Sequence, residues 1–343
     1  MRQKTFGRNP EGKRLEQIKK SPNYKEGIFQ NLSPTEVTLK NASMTKMLKD
    51  YFNKPKDTAP SALIPSVKTD LYTLSDDKPT IVWFGHSSYL IQYKGTRILV
   101  DPVFSGYASP VSYFGKSFPG SDIYTVSDFG NIDMLIITHD HYDHMDYKTI
   151  TQFAPKVKSF YTALGVGSHL EFWGIPVNKI VEFDWWDHQK IADSIHLTAT
   201  PARHFSGRGL VRNKTLWTSF VLQLYDKIIY IGGDSGYDTH FKAIGDKYGP
   251  FDIVMLESGQ YGSDWPYIHM FPEETVKAAQ DLKAKTLLPV HWGKFVLANH
   301  AWNEPIQRVV QKAKEENMPL ATPKIGEPIY LGEVYPNQMW WQF

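Results

Sequence analysis

The chain has 343 residues, 41% hydrophobic and 22% charged, with 38 basic against 36 acidic residues for a formal charge of +2 and no cysteine. That composition suits a substantial globular core, and the near-balance of charge argues against a long-range electrostatic grip on nucleic acid. Without cysteine there are no disulfides, no thiolate ligands and no cysteine nucleophile, so any metal must be held by His, Asp or Glu. No apolar run reaches the roughly 18 residues that a spanning helix needs. The basic start, MRQKTFGRNPEGKRLEQIKK, has no apolar segment behind it, so the expected location is cytoplasmic or peripheral to a membrane, with export open if a leader preceded Met1.

Residues 1–78 are polar and Lys-rich, broken by Pro22, Pro34, Pro55, Pro60 and Pro65, and read as an N-terminal extension that packs loosely. Over 79–343 the texture changes to short apolar runs rich in Val, Ile, Phe and Tyr, the pattern of one large domain. Strands are predicted over 80–84, 88–93, 96–100, 134–138, 159–163, 195–200, 218–224, 227–232, 253–257 and 286–290, with 328–331 closing the set. Tight turns at Tyr93-Lys94-Gly95 and Tyr225-Asp226-Lys227 imply antiparallel pairs, whereas a helical stretch from Glu273 to Lys285 separates others. A mixed-sheet α/β protein follows. Most of its aromatic residues, 14% of the chain, belong in a core, and core packing is also the first reading of the pairs Trp185-Trp186 and Trp340-Trp341, with anchoring at a membrane interface the second.

The segment LIITHDHYDH brings His139, Asp140, His141, Tyr142, Asp143 and His144 to the end of an apolar strand. In extended backbone His139 and His141 share a face and converge on one point. Asp143 and His144 can turn toward a second point as a helix begins, so the spacing suits two adjacent metal sites. A zinc shell needs about four ligands, so others must come from elsewhere. His204, Asp234 and His291 each lie just beyond a strand, at the edge where open α/β sheets put their sites. Small neighbours of Asp234 in GGDSG would admit the backbone close to a metal.

Asp101 at a strand end, then HxHxDH, then single His, Asp and His residues in that order resemble the metallo-β-lactamase superfamily. The strings WFGHSSYLIQ, DPVFSGYASP, HDHYDHMDY, GGDSGY, HMFPEE and PVHWGKFVLANH are similar to its branch of N-acyl-phosphatidylethanolamine-hydrolysing phospholipase D and bacterial relatives. The resemblance implies an αββα sandwich of two mixed sheets flanked by helices, with a dinuclear site at one edge. It implies a first metal on His139, His141 and His204, a second on Asp143, His144 and His291, Asp234 as the bridge, and Asp101 orienting a ligand. Two zinc ions are implied, iron or manganese being compatible with the same nitrogen and oxygen donors.

The implied reaction cleaves N-acyl-phosphatidylethanolamine to N-acylethanolamine and phosphatidic acid; Asp143 is the candidate to accept a proton, and either His269 or a metal-bound water is the candidate to give one to the departing oxygen. Where the branch has Gln-His, this chain has Ile268-His269, which leaves open a phospholipid, or a small phosphodiester or lactone of the ascorbate-phosphate lactonase kind. Transient contact with a membrane surface accompanies a lipid substrate, and a metal-binding scaffold without activity ranks last. His86 matches a position of the branch without a derivable role, while His169, His188, His196, His240 and His300 read as structural.

Overall fold

The computed structural model describes residues 4–40, 42, 43, 45, 49 and 53–343. A short helix α1 (Gly12–Ile18) and a two-stranded ribbon of β1 (Tyr24–Lys25) and β2 (Ile28–Phe29) come first. The chain then runs through β3 (Thr80–Trp83), β4 (Tyr89–Tyr93), β5 (Thr96–Val100), β6 (Ile132–Ile137), α2 (Tyr147–Phe153), β7 (Val157–Ala163), α3 (Gly167–Phe172) and β8 (Ile180–Phe183). A second series comprises β9 (His188–Ala192), β10 (Ile195–Thr200), β11 (Ser219–Leu224), β12 (Lys227–Ile231), α4 (His240–Tyr248), β13 (Ile253–Glu257), α5 (Pro272–Asp281) and β14 (Leu287–Val290), followed by α6 (Glu304–Glu315) and β15 (Pro328–Tyr330).

Two mixed sheets result, ordered β15-β3-β4-β5-β6-β7-β8 and β9-β10-β11-β12-β13-β14. Each begins antiparallel and turns parallel, at β5/β6 in the first and β12/β13 in the second. The reason lies in the connections. Two residues join β4 to β5, Lys94 and Gly95, both in the left-handed region at φ 48° and 75°, as a tight hairpin needs. Parallel neighbours need a crossover; the long segment 101–131 supplies it for β5/β6, and α2, α3, α4 and α5 for the other four pairs.

Strand β6 reads IDMLII because both of its faces are buried. Met134 and Ile136 point between the sheets, where they meet Leu222, Ile229 and Met255 of the second sheet. Leu135 and Ile137 point outward, beneath Ile150 and Phe153 of α2. Tyr230, Val254 and Leu256 do the same under α4 and α5, beside Phe241 and Val276. The layers are therefore helix, sheet, sheet, helix, the αββα sandwich expected. Among the described residues no helix is long and apolar enough to cross a membrane.

One expectation is corrected. The N-terminal extension is not loosely packed, since Ile18 and Phe29 are fully buried in the outer cluster of the first sheet. Arg14 forks between Glu171 at 2.6 Å and Glu182 at 2.7 Å. Few apolar residues suffice because those few insert. The C-terminal pair follows its first reading, core packing, rather than interfacial anchoring: Trp340 and Trp341 are 7% and 1% exposed, and Trp340 stacks on Trp292 at 5.1 Å. Trp185 is buried as well, and Trp186 alone of these four is exposed, under Lys247. Replacing Trp340 by Ala should lower unfolding free energy by about 3–5 kcal/mol, read as a fall in the denaturant midpoint.

Candidate metal centre

The ends of β5, β6, β12 and β14 and the loop after β10 open on one edge of the sandwich. Asp101, just after β5, ties that edge together. Its Oδ1 accepts from the Thr138 backbone N–H at 2.8 Å, and its Oδ2 from Thr138 Oγ1 at 2.7 Å and His144 Nδ1 at 2.8 Å. One carboxylate thus fixes both ends of the His139–His144 segment. Backbones here are held in conformations that non-glycine residues seldom adopt, with φ of 40° at Asp101, 52° at His86 and 67° at His291.

His139 Nε2 lies 2.9 Å from His141 Nδ1, and His204 Nε2 lies 3.2 Å from the same atom. Asp234 Oδ2 is 3.7 Å from both His139 Nε2 and His204 Nε2. On the other side, Asp143 Oδ2 is 3.3 Å from His291 Nε2 and 3.5 Å from His144 Nε2. Asp234 reaches this set too, Oδ1 to His144 and Oδ2 to His291, each at 3.2 Å. The seven side chains therefore form two clusters that share Asp234. Ligands around a tetrahedral zinc with bonds of about 2.0–2.1 Å sit about 3.3 Å apart, close to the spacing of the three imidazole nitrogens.

Donor chemistry supports the same fit. His144 Nε2 and Asp234 Oδ1 are buried without any hydrogen-bond partner, and a shared cation would satisfy both. Three of the remaining ring nitrogens are already engaged: His204 Nδ1 donates to Ile268 O at 2.9 Å, His144 Nδ1 to Asp101, and His139 Nδ1 to Thr138 Oγ1 at 3.0 Å. Such partners fix the tautomer and ring angle of a ligating histidine. Burial holds His139 and His204 well below the ordinary histidine value, in the neutral form that binds metal. Burial pushes Asp143 and Asp234 up, but the facing imidazoles, His144 first, outweigh it and hold both carboxyls well below the usual range. Burial likewise opposes charge on His144 and His291, and the Asp234 carboxylate outweighs it, raising both.

The glycines beside Asp234 serve packing rather than approach to a metal. A Cβ on Gly232 would lie 2.3 Å from Met255 O, and one on Gly233 2.7 Å from Thr218 O. They let β12 run close against its neighbours, which brings Asp234 to the cluster.

His269 stands beside the centre, its ring 5.0 Å from that of His204 and 5.2 Å from that of His291. Its Nδ1 donates to Glu257 Oε2 at 2.9 Å. Glu257, at the end of β13, is 1% exposed, and its Oε1 accepts from Met270 N at 2.8 Å. Sequence reasoning missed it, although an acid closing an apolar strand is the signal that singled out Asp234. It also left His86 without a role. Burial and the neighbouring His291 push His86 down to about 3, and its Nε2–H donates to Asp143 Oδ2 at 2.9 Å. Asp140, by contrast, faces away from the cluster, accepting from Gly207 N at 2.7 Å, Thr215 Oγ1 at 2.9 Å and His169 at 3.2 Å. His188 and His196 stack on each other on the β9–β10 pair, outside the clusters.

Beside the clusters lies a cavity of about 310 Å³, lined by His141, Asp143, Asp234, His269 and His291 on one side and by Phe205, Trp265 and Leu297 on the other. Replacing Asp101 by Ala strips His144 of its partner. Elemental analysis after dialysis should then show metal content falling from about two ions per chain toward one, with affinity down about 10–100-fold.

Residues 96–292 match the beta-lactamase superfamily domain. An uncharacterized Mycobacterium tuberculosis protein is 37% identical over 327 residues, spanning 94% of this chain and 88% of its own. The N-acyl-phosphatidylethanolamine-hydrolyzing phospholipase D 1 of Caenorhabditis elegans is 31% identical over 226 residues, 62% of this chain and 63% of its own. In fold the chain is similar to Igni18, a metallo hydrolase from Ignicoccus hospitalis, with a TM-score of 0.58 and 19% identity over 75% of this chain and 100% of that one. With two His/Asp clusters standing at the edge of an αββα sandwich, the chain belongs to the metallo-β-lactamase superfamily and is one of its metal-dependent hydrolases.

Proposed function

We propose that this protein is a dizinc phosphodiesterase of the phospholipase D type, releasing an N-acylethanolamine and phosphatidic acid from N-acyl-phosphatidylethanolamine. The observation that carries this reading is the cavity wall. Arg212 is the one Arg or Lys lining the cavity among the described residues, and it pairs with no carboxylate there. Its guanidinium lies 5.0 Å over the Phe205 ring, whose other neighbours are His141 and His204. An anionic group fits between that cation and the clusters, and an apolar chain fits against Trp265, Ile268 and Leu297. The name of the Caenorhabditis elegans relative supports the same substrate.

His139, His141 and His204 would hold one ion, Asp143, His144 and His291 the other, with Asp234 between them. When bound, the two ions supply an acidified water and neutralise charge on the attacked phosphorus. Asp143 keeps Oδ2 against His86, which leaves Oδ1 to accept a proton from the attacking water. His269, held through Nδ1 by Glu257, presents Nε2 to the departing oxygen and gives it a proton. Arg212 binds a non-bridging phosphate oxygen. Beside it in the same loop, Leu210 and Val211 project into solvent, which supports transient contact with a membrane surface.

One observation favours a second reading. A cavity of about 310 Å³ also suits a small phosphodiester or a lactone. The discriminating experiment pairs metal analysis with turnover of N-acyl-phosphatidylethanolamine, bis(p-nitrophenyl) phosphate and a neutral lactone. Two zinc per chain with release of the N-acylethanolamine is the expected result; activity on the lactone alone would overturn the substrate, and absence of stoichiometric metal the whole mechanism. Arg212→Ala should raise KM for both phosphodiesters about tenfold, the value of one charge-assisted hydrogen bond at a half-open site, while leaving the lactone unaffected. His269→Ala should lower kcat about 10²–10⁴-fold with metal content unchanged.

A further inference from the structure

His204 lies in irregular backbone, four residues beyond the end of β10. Its ring is turned by the bond from Nδ1 to Ile268 O, but that bond does not fix where its Cα sits. The backbone is held from elsewhere. The side-chain amide of Asn31, in the N-terminal extension, donates through Nδ2 to His204 O at 2.7 Å and accepts through Oδ1 from His204 N at 3.0 Å. One amide thus pairs both backbone groups of a single residue, as a neighbouring strand would. Oδ1 also accepts from Trp217 Nε1 at 3.1 Å, which fixes the amide in turn.

The contact belongs to a longer crossing. Phe29 N donates to Asn213 O at 2.8 Å, Arg203 donates to Thr35 Oγ1 and to Pro34 O at 2.9 Å each, and Leu39 N donates to Asp264 O at 2.9 Å. Between those tethers Val37 and Thr38 line the cavity. Residues 29–39 therefore span the cavity edge from the loop that carries His204 to the loop around Asp264.

We propose that Asn31 is a positioning residue of the metal centre, setting the backbone of His204 from the N-terminal extension so that the ring meets the ion held with His139 and His141. This rests on His204 being a ligand. An Ala at this position leaves a buried N–H and C=O unpaired, and Asp keeps the acceptor but loses the donor.

The test titrates the metal-stripped full chain with zinc alone against a chromophoric chelator, for the parent, Asn31→Ala, Asn31→Asp, His204→Ala and Asn23→Ala. Asn23 is the control because it also ties down the extension, to Asp184 Oδ1 at 2.9 Å, without touching the clusters. Expected are an approximately tenfold or greater loss of affinity for one zinc in Asn31→Ala, a smaller loss in Asn31→Asp, and less than about twofold change in Asn23→Ala. Parent affinity in a folded Asn31→Ala overturns the proposal, as does equal weakening by Asn23→Ala, which would make general docking the cause. If Asn31→Ala does not fold, parent affinity in Asn31→Asp overturns it. If His204→Ala binds both zinc ions like the parent, the ligand assignment fails and the proposal falls with it; loss in His204→Ala alone condemns only the role of Asn31.

Discussion

The structure depends on one buried carboxylate. Asp234 is 3% exposed and lies within 3.2–3.7 Å of imidazole nitrogens from His139, His144, His204 and His291. A charge withdrawn from water persists only where opposite charge or donors surround it. Those donors come from the ends of β6 and β14 and from the loops after β6 and β10, and the carboxylate from just beyond β12, so the cluster straddles both sheets. Sheets packed about 10 Å apart place their rims within reach of two facing side chains. The sandwich core, from Met134 and Ile136 on one side to Leu222 and Met255 on the other, therefore sets the geometry of the centre as well as stability.

The legible parts of this chain were those whose cause is local. Strands such as β6, IDMLII, with both faces buried announce themselves as continuous apolar stretches, and β4, β5, β6, β12 and β13 lie where the runs place them. β8 and β9 escaped notice because IVEF is mostly half-exposed, HQKIA alternates exposed with half-exposed residues, and neither carries such a run. The metal residues were legible for a similar reason: HxHxDH packs five chemical side chains into six positions. Asn31, Glu257 and His86 were not: Asn31 and His86 act through partners 57 or more residues away, His86 also from a turn whose shape the sequence does not display. Glu257 is the exception in distance, meeting His269 only 12 residues on. What hid it was its place within a buried strand end, where an acid has no neighbour in sequence to explain it.

A division of labour follows between strand ends and loops. His139, Asp234 and His291 sit within three residues of strand ends, which the core holds rigidly, and His204 is held in its loop by Asn31, whereas the rest of the cavity wall is built from the loops bearing Phe205, Arg212, Trp265 and Leu297. Chemistry is thus the conservative part of the molecule and substrate choice the adjustable one. Ile268 shows how this works. The group that orients His204 is its backbone carbonyl, which any residue supplies, so the side chain can differ from the Gln of the phospholipase branch without disturbing the centre. The difference bears on the cavity, which that residue also lines.

Glu257 joins the two parts. Its Oε2 lies 2.9 Å from His269 Nδ1 and 3.4 Å from His291 Nδ1, so one buried carboxylate faces both the proposed proton donor and a proposed metal ligand. Its Oε1 meanwhile accepts from Met270 N and Ser235 N, the residues that follow His269 and Asp234. A displacement of Glu257 would therefore shift His269, His291 and the turn carrying Asp234 together. The proton-transfer side of the cavity and the metal side are registered against each other by a single side chain, and the loop between them is free to vary only where it does not touch that carboxylate.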